Sequence, residues 1–113
     1  MPRFVLLSHD HPVPHWDLML EASGVLRTWR LNSIPHGDQT VQAEPISDHR
    51  VAYLEYEGPV SGDRGVVRRE DTGTFELQAE SADAVVVLID GQKLNGRLEI
   101  LREGDCWICR LTK

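Results

Sequence analysis

Residues 3–21 have the sequence RFVLLSHDHPVPHWDLMLE, in which two strand patterns flank a loop that contains two prolines. Successive side chains of an extended strand point to opposite faces. One face of the second pattern therefore carries apolar side chains that predict a buried core, namely Trp16, Leu18 and Leu20. His15 and Asp17 share the other face. We expect the loop to fold His9, which ends the first apolar run, back beside His15.

Two imidazoles and one carboxylate that meet at a point can bind a divalent cation. Such a set leaves coordination positions for water or a phosphate oxygen, as a metal-assisted hydrolase requires. The sequence thus predicts a metal site formed by His9, His15 and Asp17. The alternative is a chance cluster in which these histidines are only solvated or hydrogen-bonded at strand ends. His11 lies at the loop tip, and we expect it to be solvated.

Most of the remaining chain alternates between short apolar runs and turn residues, which favours an antiparallel sandwich or barrel. No stretch has a sustained apolar period of 3.6 residues, so we expect little helix. Residues 32–47 contain two prolines and are predicted to form one long loop. The candidate strands are 3–8, 15–21, 24–31, 50–57, 65–70, 73–79, 84–90, 96–102 and 106–112.

The length of 113 residues predicts a single domain over residues 1–113, and the composition is that of an ordinary globular protein. The longest apolar run, residues 84–89, is too short to cross a membrane and suits a buried strand. The chain enters its first strand pattern almost at once. We therefore expect no secretory signal. We also expect no membrane association, a monomeric state and a cytoplasmic location.

The net charge of −6 argues against non-specific binding along nucleic acid, which depends on neutralising phosphates. The basic residues are nevertheless mostly arginines, and arginine can bind phosphate through two parallel hydrogen bonds. Several lie in the middle of the chain: Arg27, Arg30, Arg50, Arg64, Arg68 and Arg69. This cluster favours recognition of one phosphate or strand end. The alternative is that these arginines pair with neighbouring carboxylates such as Glu70 and Asp71.

Cys106 and Cys109 have the Cys-x-x-Cys spacing of some redox and zinc sites. The segment around them has a strand pattern, which would turn the thiols to opposite faces. A thioredoxin-type motif requires a helix N-terminus, and a four-thiolate zinc site requires a second pair of cysteines. We therefore predict two buried or half-buried free thiols in a reducing cytoplasm.

His49 and Tyr53 form a second candidate constellation, because residues four apart on a strand share a face. A histidine near a phosphate can act as a general acid, and a phenol can donate a hydrogen bond to an oxyanion. The alternative, favoured on these residues alone, is a histidine at the start of a strand with Tyr53 packed at the barrel mouth.

Several motifs in order resemble the phosphoesterase domain of bacterial and archaeal DNA ligase D. The His9-Asp10 pair is followed by HWDLMLE at 15–21, where the family has His-aromatic-Asp-apolar-Arg-Leu-Glu at the same separation. Further matches span almost the whole chain: GVLRTW at 24–29, Asp48-His49 leading to Tyr53, Glu57-Gly58, and GQKLNGR at 91–97. The chain is expected to be a free-standing version without ligase or polymerase modules.

The resemblance implies a small antiparallel β-barrel of about eight or nine short strands with one long loop. It also implies removal of a 3'-terminal ribonucleoside, and then of the 3'-phosphate, with manganese or another divalent metal such as zinc or cobalt. His9, His15 and Asp17 would hold the metal, His49 would contact or protonate the phosphate, and Tyr53 would assist. Nucleic-acid 3'-ends would be the substrate, and repair ligase or polymerase proteins the partners.

Two departures from the family concern phosphate binding. The arginine of the family's His-aromatic-Asp-apolar-Arg run is Met19 here, and a second family arginine falls at Val41. Losing both would remove two charge-assisted contacts. Arg30, on the neighbouring strand, is the candidate replacement. These departures leave three hypotheses in order: a metal-dependent 3'-phosphoesterase, a weak or inactive module that binds metal and phosphorylated ends, and a purely structural partner of repair proteins.

Overall fold

A computed structural model describes residues 2–113, which form an all-β fold with nine antiparallel strands. The strands are β1 Arg3–His9, β2 His15–Ala22, β3 Val25–Leu31, β4 Thr40–Arg50, β5 Gly58–Pro59, β6 Val66–Ser81, β7 Ala84–Gly91, β8 Asn95–Glu103 and β9 Cys106–Thr112. The order around the sheet is β1-β2-β3-β4-β9-β8-β7-β6, and pairing of β1 with β6 closes an eight-stranded barrel to which β5 is added outside. The predicted fold class is confirmed.

The barrel interior is filled by apolar side chains from alternate positions of all eight barrel strands. On β2 these are Leu18 and Leu20, with Trp16 partly buried against the same cluster, as the alternation predicts. Closure of the sheet leaves the barrel strands without a free hydrogen-bonding edge over their paired lengths. Because apolar side chains fill the interior, it is a packed core.

A second, smaller cluster lies on the outer face of β1, β2 and β3. The segment 51–65 covers this face, and its Leu54 belongs to the same cluster as Met19 of β2 and Val67 of β6. The other buried members of this outer cluster are Val5, Leu7 and Leu26. The outer cluster fixes the position of the covering segment, and the candidate site lies beside it.

The predicted long loop at 32–47 is wrong in its second half, because β4 begins at Thr40. Val41 and Ala43 are buried with polar residues between them, so the segment has a strand's period of two. Pro45 obscures this pattern in the sequence. It is tolerated because β9 pairs with β4 only over residues 40–43, which leaves one edge of β4 free at Pro45.

The predicted strand at 50–57 is also wrong, since Val51–Leu54 forms a short 3₁₀ helix. Leu54 is buried in the outer cluster and Tyr53 packs against it. On an extended strand these two side chains would point to opposite faces, whereas one helical turn lets both contact the cluster. Over residues 2–113, no helix is long and apolar enough to span a membrane.

The predicted strands at 65–70 and 73–79 are one continuous strand, β6. The Asp71-Thr72-Gly73 segment, which separates the two predicted strands, is where β6 changes its main partner from β1 to β7. A Cβ atom at Gly73 would lie 2.8 Å from the Gly91 Cα atom. Gly73 therefore permits close approach of two strands and does not mark a reversal of the chain.

The two cysteines are free and differ in exposure. Cys109 is fully buried in the main core, whereas Cys106 at the start of β9 is exposed, so the prediction of two buried or half-buried thiols is wrong for Cys106. Burial raises the pKa of the Cys109 thiol to about 12. Only Cys106 is placed to react with a reagent in solution.

Candidate metal centre

The candidate centre lies on the outer face of three adjacent strands, where cross-strand pairing brings distant residues together. His9 of β1 is directly opposite His15 of β2. Asp17 of β2 is directly opposite Arg30 of β3. Because directly paired residues of antiparallel strands point to the same face, these side chains project on one side of the sheet.

His9, His15 and Asp17 lie close enough to share one cation. One ligand atom from each residue can be chosen so that all three lie within 4.8 Å of one another. The imidazole rings of His9 and His15 have centroids 4.8 Å apart, and His15 Nε2 is 3.5 Å from Asp17 Oδ1. The loop between β1 and β2 thus brings the two histidines together as the sequence predicts.

Backbone carbonyls fix which nitrogen of each imidazole is free. His15 Nδ1 lies 2.9 Å from the Val13 carbonyl oxygen, and His9 Nε2 lies 2.7 Å from the Arg64 carbonyl oxygen. A carbonyl only accepts hydrogen bonds, so each of these nitrogens donates its hydrogen. The lone pairs of the neutral rings are then on His15 Nε2 and His9 Nδ1. This orientation by carbonyl oxygens is usual for histidines that bind metals.

Two of the candidate ligand atoms lack hydrogen-bond partners despite their burial. They are His15 Nε2 and Asp17 Oδ1, which belong to side chains that are 5% and 4% exposed. A buried polar atom without a partner costs about 1–3 kcal/mol. A divalent cation would supply the missing partner to both atoms. The donor set, two neutral imidazoles and a carboxylate, therefore fits such an ion.

A cavity of about 240 Å³ opens beside these ligand atoms. Its wall contains five of the six predicted site residues, namely His9, Asp17, Arg30, His49 and Tyr53. The sixth, His15, is buried. His11 also lines it, although it is exposed as expected for the loop tip. The fold thus brings the two predicted constellations together at one cavity, which we call the metal cavity.

His49 is positioned by two contacts at the same ring nitrogen. Its Nδ1 atom is 3.0 Å from the Ser47 carbonyl oxygen and 3.0 Å from Thr28 Oγ1, and Thr28 Oγ1 donates to the Leu26 carbonyl. With Nδ1 occupied, Nε2 is the atom free to exchange a proton. The Tyr53 ring meets His49 edge to face with centroids 5.4 Å apart. The sequence predicted that His49 and Tyr53 would be close together on one continuous strand. They are close together because the chain bends after β4.

Arg30 and Met19 line the metal cavity, whereas Val41 does not. Arg30 Nε lies 3.8 Å from Asp17 Oδ1 and is buried without a hydrogen bond. Met19 is buried in the outer cluster and presents no charge to the cavity. Val41 is buried in the main core on the other side of the sheet, so treating it as a phosphate-facing position was wrong.

Three contributions to the site were not predicted from the sequence. Arg64 was predicted only as a member of the arginine cluster, but its side chain lines the cavity and its carbonyl accepts a hydrogen bond from His9. Asp10 Oδ1 accepts a hydrogen bond from the Val66 N–H at 2.8 Å, which lowers the pKa of the Asp10 carboxyl. Gly65, at φ +81°, lies so close to Asp10 that a Cβ atom there would overlap the carboxylate. The Asp10 neighbour of His9 was the one available signal.

The middle arginines divide into two groups. Arg27 pairs with Glu80, and Arg30 lies near Asp17. Among residues 2–113, no carboxylate forms an ion pair with the others, which are Arg50, Arg64, Arg68 and Arg69. Within residues 2–113, none of these four arginines therefore forms the alternative ion pair with Glu70 or Asp71. Asp71 instead accepts backbone hydrogen bonds from Thr72, Gln92, Lys93 and Leu94.

Comparison with known proteins places this site in a family. The sequence profile of the DNA Ligase D 3'-phosphoesterase domain matches residues 7–102. The multifunctional non-homologous end joining DNA repair protein LigD of Mycobacterium tuberculosis is 31% identical over 120 residues, covering 97% of this chain and 16% of LigD. LigD of Pseudomonas aeruginosa is 28% identical over 110 residues, covering 88% of this chain and 13% of its own length. This chain therefore spans between about an eighth and a sixth of the length of these relatives, and it belongs to the DNA ligase D 3'-phosphoesterase domain family.

Proposed function

We propose that residues 1–113 form a single domain that hydrolyses phosphate esters at nucleic-acid 3'-ends in DNA repair, with a divalent metal as cofactor. Family membership supports this reaction class and this role. The observation that carries the proposal is the pair of buried, unpartnered atoms, His15 Nε2 and Asp17 Oδ1, beside His9. Such a pair costs stability in the free protein, and a bound cation would offset that cost.

His9, His15 and Asp17 would hold the cation. When bound, a divalent metal polarises a phosphoryl oxygen and lowers the pKa of bound water. Manganese is the ion expected from the family resemblance, and the same ligands also accept zinc or cobalt. The His15 and His9 hydrogen bonds to carbonyl oxygens keep their free nitrogens directed to a common point.

Arg30 is proposed to bind the phosphate. Its Nε–H is buried without a hydrogen-bond acceptor at the cavity wall, and its side chain as a whole is 39% exposed. A phosphate oxygen in the cavity would accept from it. Arg30 would thereby replace the charge that the family's arginine supplies at the position of Met19.

His49 and Tyr53 are proposed to act on the reacting phosphate. Because the Nδ1–H of His49 is held by the Ser47 carbonyl and Thr28, the second proton of the imidazolium form lies on Nε2 and can pass to the oxygen that leaves phosphorus. The Tyr53 ring packs edge to face on His49 and limits its rotation. The Tyr53 hydroxyl can donate a hydrogen bond to a phosphate oxygen.

Incubation with manganese and labelled primers tests the proposal directly. One primer ends in a single ribonucleotide and the other in a 3'-phosphate. We expect both ends to be shortened to a 3'-hydroxyl, and His49→Asn to slow the reaction at least about 100-fold. The matched control is His36→Asn, because His36 is an exposed histidine that does not line the metal cavity. Absence of product, while a LigD phosphoesterase domain is active alongside, would contradict the proposal.

The second candidate is a module that binds metal and phosphorylated ends without turnover. The specific observation in its favour is Met19, which occupies the cavity wall where the family has an arginine. This candidate predicts manganese-dependent binding of a 3'-phosphate primer with no product. The monomeric state, the cytoplasmic location and contact with repair ligase or polymerase proteins stay predictions.

A further inference from the structure

The metal cavity is flanked by a larger cavity of about 570 Å³, which we call the Trp107 cavity. It lies between the end of β3, the first half of β4 and the start of β9. His15 and Arg30 form part of its wall, and Arg30 also lines the metal cavity. A ligand in the Trp107 cavity would therefore be contiguous with a phosphate bound at Arg30. Its volume is in the range of pockets that hold small organic ligands.

The wall of the Trp107 cavity combines apolar surfaces with carboxylates. Pro14, Leu31 and Trp107 supply the apolar part. Glu44 and Asp105 are both exposed at its rim. An aromatic and apolar wall suits stacking of a nucleobase, and carboxylates accept hydrogen bonds from its amino groups. The same carboxylates repel phosphate, so this cavity is unsuited to the sugar-phosphate chain.

The surroundings of the metal cavity also carry positive charge. Arg64 lines the metal cavity itself, and Arg68 lies in a groove that His9, Asp10 and His15 also line. Neither arginine forms an ion pair with any carboxylate of residues 2–113. Arginines without a carboxylate partner attract the phosphates of a polynucleotide. The metal cavity is therefore better suited to phosphates than the carboxylate rim of the Trp107 cavity.

A 3'-end combines two different parts. On one side of its last phosphodiester is a single uncharged nucleoside, and on the other side is a polyanionic strand. We propose that the Trp107 cavity holds the 3'-terminal nucleoside, while the last phosphodiester lies in the metal cavity. This inference rests on the proposed function and adds the site of the leaving nucleoside.

Cys106 provides a test that does not depend on a core substitution. It is exposed, free and part of the wall of the Trp107 cavity, whereas Cys109 is buried. Alkylation of Cys106 with N-ethylmaleimide places a bulky group in that cavity. The matched control is the Cys106→Ser variant treated with the same reagent.

Binding is measured by fluorescence anisotropy of primers labelled at the 5' end, in manganese, within minutes at 4 °C, with end integrity checked on a denaturing gel. We expect the untreated protein to bind the ribonucleotide-ended primer about tenfold more tightly than the 3'-phosphate primer, because one stacked base contributes about 5- to 150-fold in affinity. Alkylation should abolish the preference and leave 3'-phosphate binding within twofold. The treated Cys106→Ser control should keep the preference.

The outcomes separate the two proposals. Binding of the 3'-phosphate primer without any preference for the nucleoside end would overturn only the assignment of the Trp107 cavity, as would a preference that survives alkylation. Equal loss of both primers on alkylation would also overturn it, since the strand would then occupy this cavity. Binding of neither primer by the untreated protein would overturn the proposed function as well.

Discussion

The two faces of β2 are buried to a similar extent, but burial has opposite effects on folding stability at the two faces. On the inner face Leu18 is 1% exposed and contributes to the barrel core. On the outer face Asp17 is 3% exposed, yet its Oδ1 atom has no hydrogen-bond partner. Burial of Leu18 stabilises the fold by removing apolar surface from water, whereas burial of an unpartnered carboxylate oxygen opposes folding. The outer face is therefore shaped for a ligand at the expense of stability.

The largest expected difference is in the free energy of unfolding of one variant from each face. Leu18→Ala should lower it by about 2–5 kcal/mol, because it leaves a cavity in the core. Asp17→Asn should leave it unchanged or raise it by up to about 1 kcal/mol in EDTA, because it removes a buried charge. Urea unfolding followed by circular dichroism measures both. Equal destabilisation by the two substitutions would show that Asp17 has a structural role.

A second buried carboxylate sharpens the comparison. Asp71 is as buried as Asp17, but it accepts backbone hydrogen bonds from Thr72 and from the β7–β8 turn. Asp71→Asn should lower the free energy of unfolding by about 2–3 kcal/mol, since an amide cannot accept from all of these donors. Asp90→Asn, at an exposed position, is the control and should stay within about 0.5 kcal/mol. If Asp71→Asn matched this control, the turn would be held by other contacts.

Gly65 tests whether the outer face depends on the covering segment. A Cβ atom at Gly65 would lie 2.6 Å from His11 Cβ, so Gly65→Ala should displace the neighbouring Arg64 carbonyl from His9. We expect a loss of about tenfold in manganese affinity, the effect typical of disturbing a residue that orients a metal ligand. Isothermal titration calorimetry measures this change.

The control for Gly65 is Gly24→Ala. Gly24 has nearly the same backbone angle, φ +84°, but nothing lies within 4 Å of a Cβ atom there. It should share the backbone strain of Gly65→Ala without the loss of manganese affinity. A similar loss in both variants would mean that general strain, and not displacement of the Arg64 carbonyl, weakens the site.

The smallest expected effect concerns the inner face at alkaline pH. The pKa of Cys109 is raised by burial to about 12, whereas the thiol of the unfolded chain loses its proton near pH 9. Above that pH the unfolded state binds fewer protons than the folded state, so stability falls as pH rises, by up to about 1.4 kcal/mol per pH unit. The difference in unfolding free energy between wild type and Cys109→Ala, measured from pH 8 to pH 9.5, should therefore shrink. A constant difference would contradict the raised pKa.

The strand alternation around Leu18 and the loop after His9 were sufficient to predict the meeting of His9, His15 and Asp17, because a period of two and a short connection are local features. The residue pattern left a sandwich and a barrel open, and the family resemblance decided for the barrel. The 51–65 segment could not be predicted from local pattern. Its conformation depends on burial of Leu54 against an outer face that exists only after the barrel closes. The role of Val41 was misassigned for a related reason, because the start of β4 depends on pairing with β9.

The central claim is that the outer face of β2 holds one divalent cation. Titration of the protein with manganese, followed by the electron paramagnetic resonance signal of the free ion, measures this directly. The account predicts that the wild type takes up one ion per chain and that Asp17→Asn loses at least about 100-fold in affinity while remaining folded. A wild type that takes up no manganese, zinc or cobalt, or an Asp17→Asn variant that binds as tightly, would contradict it.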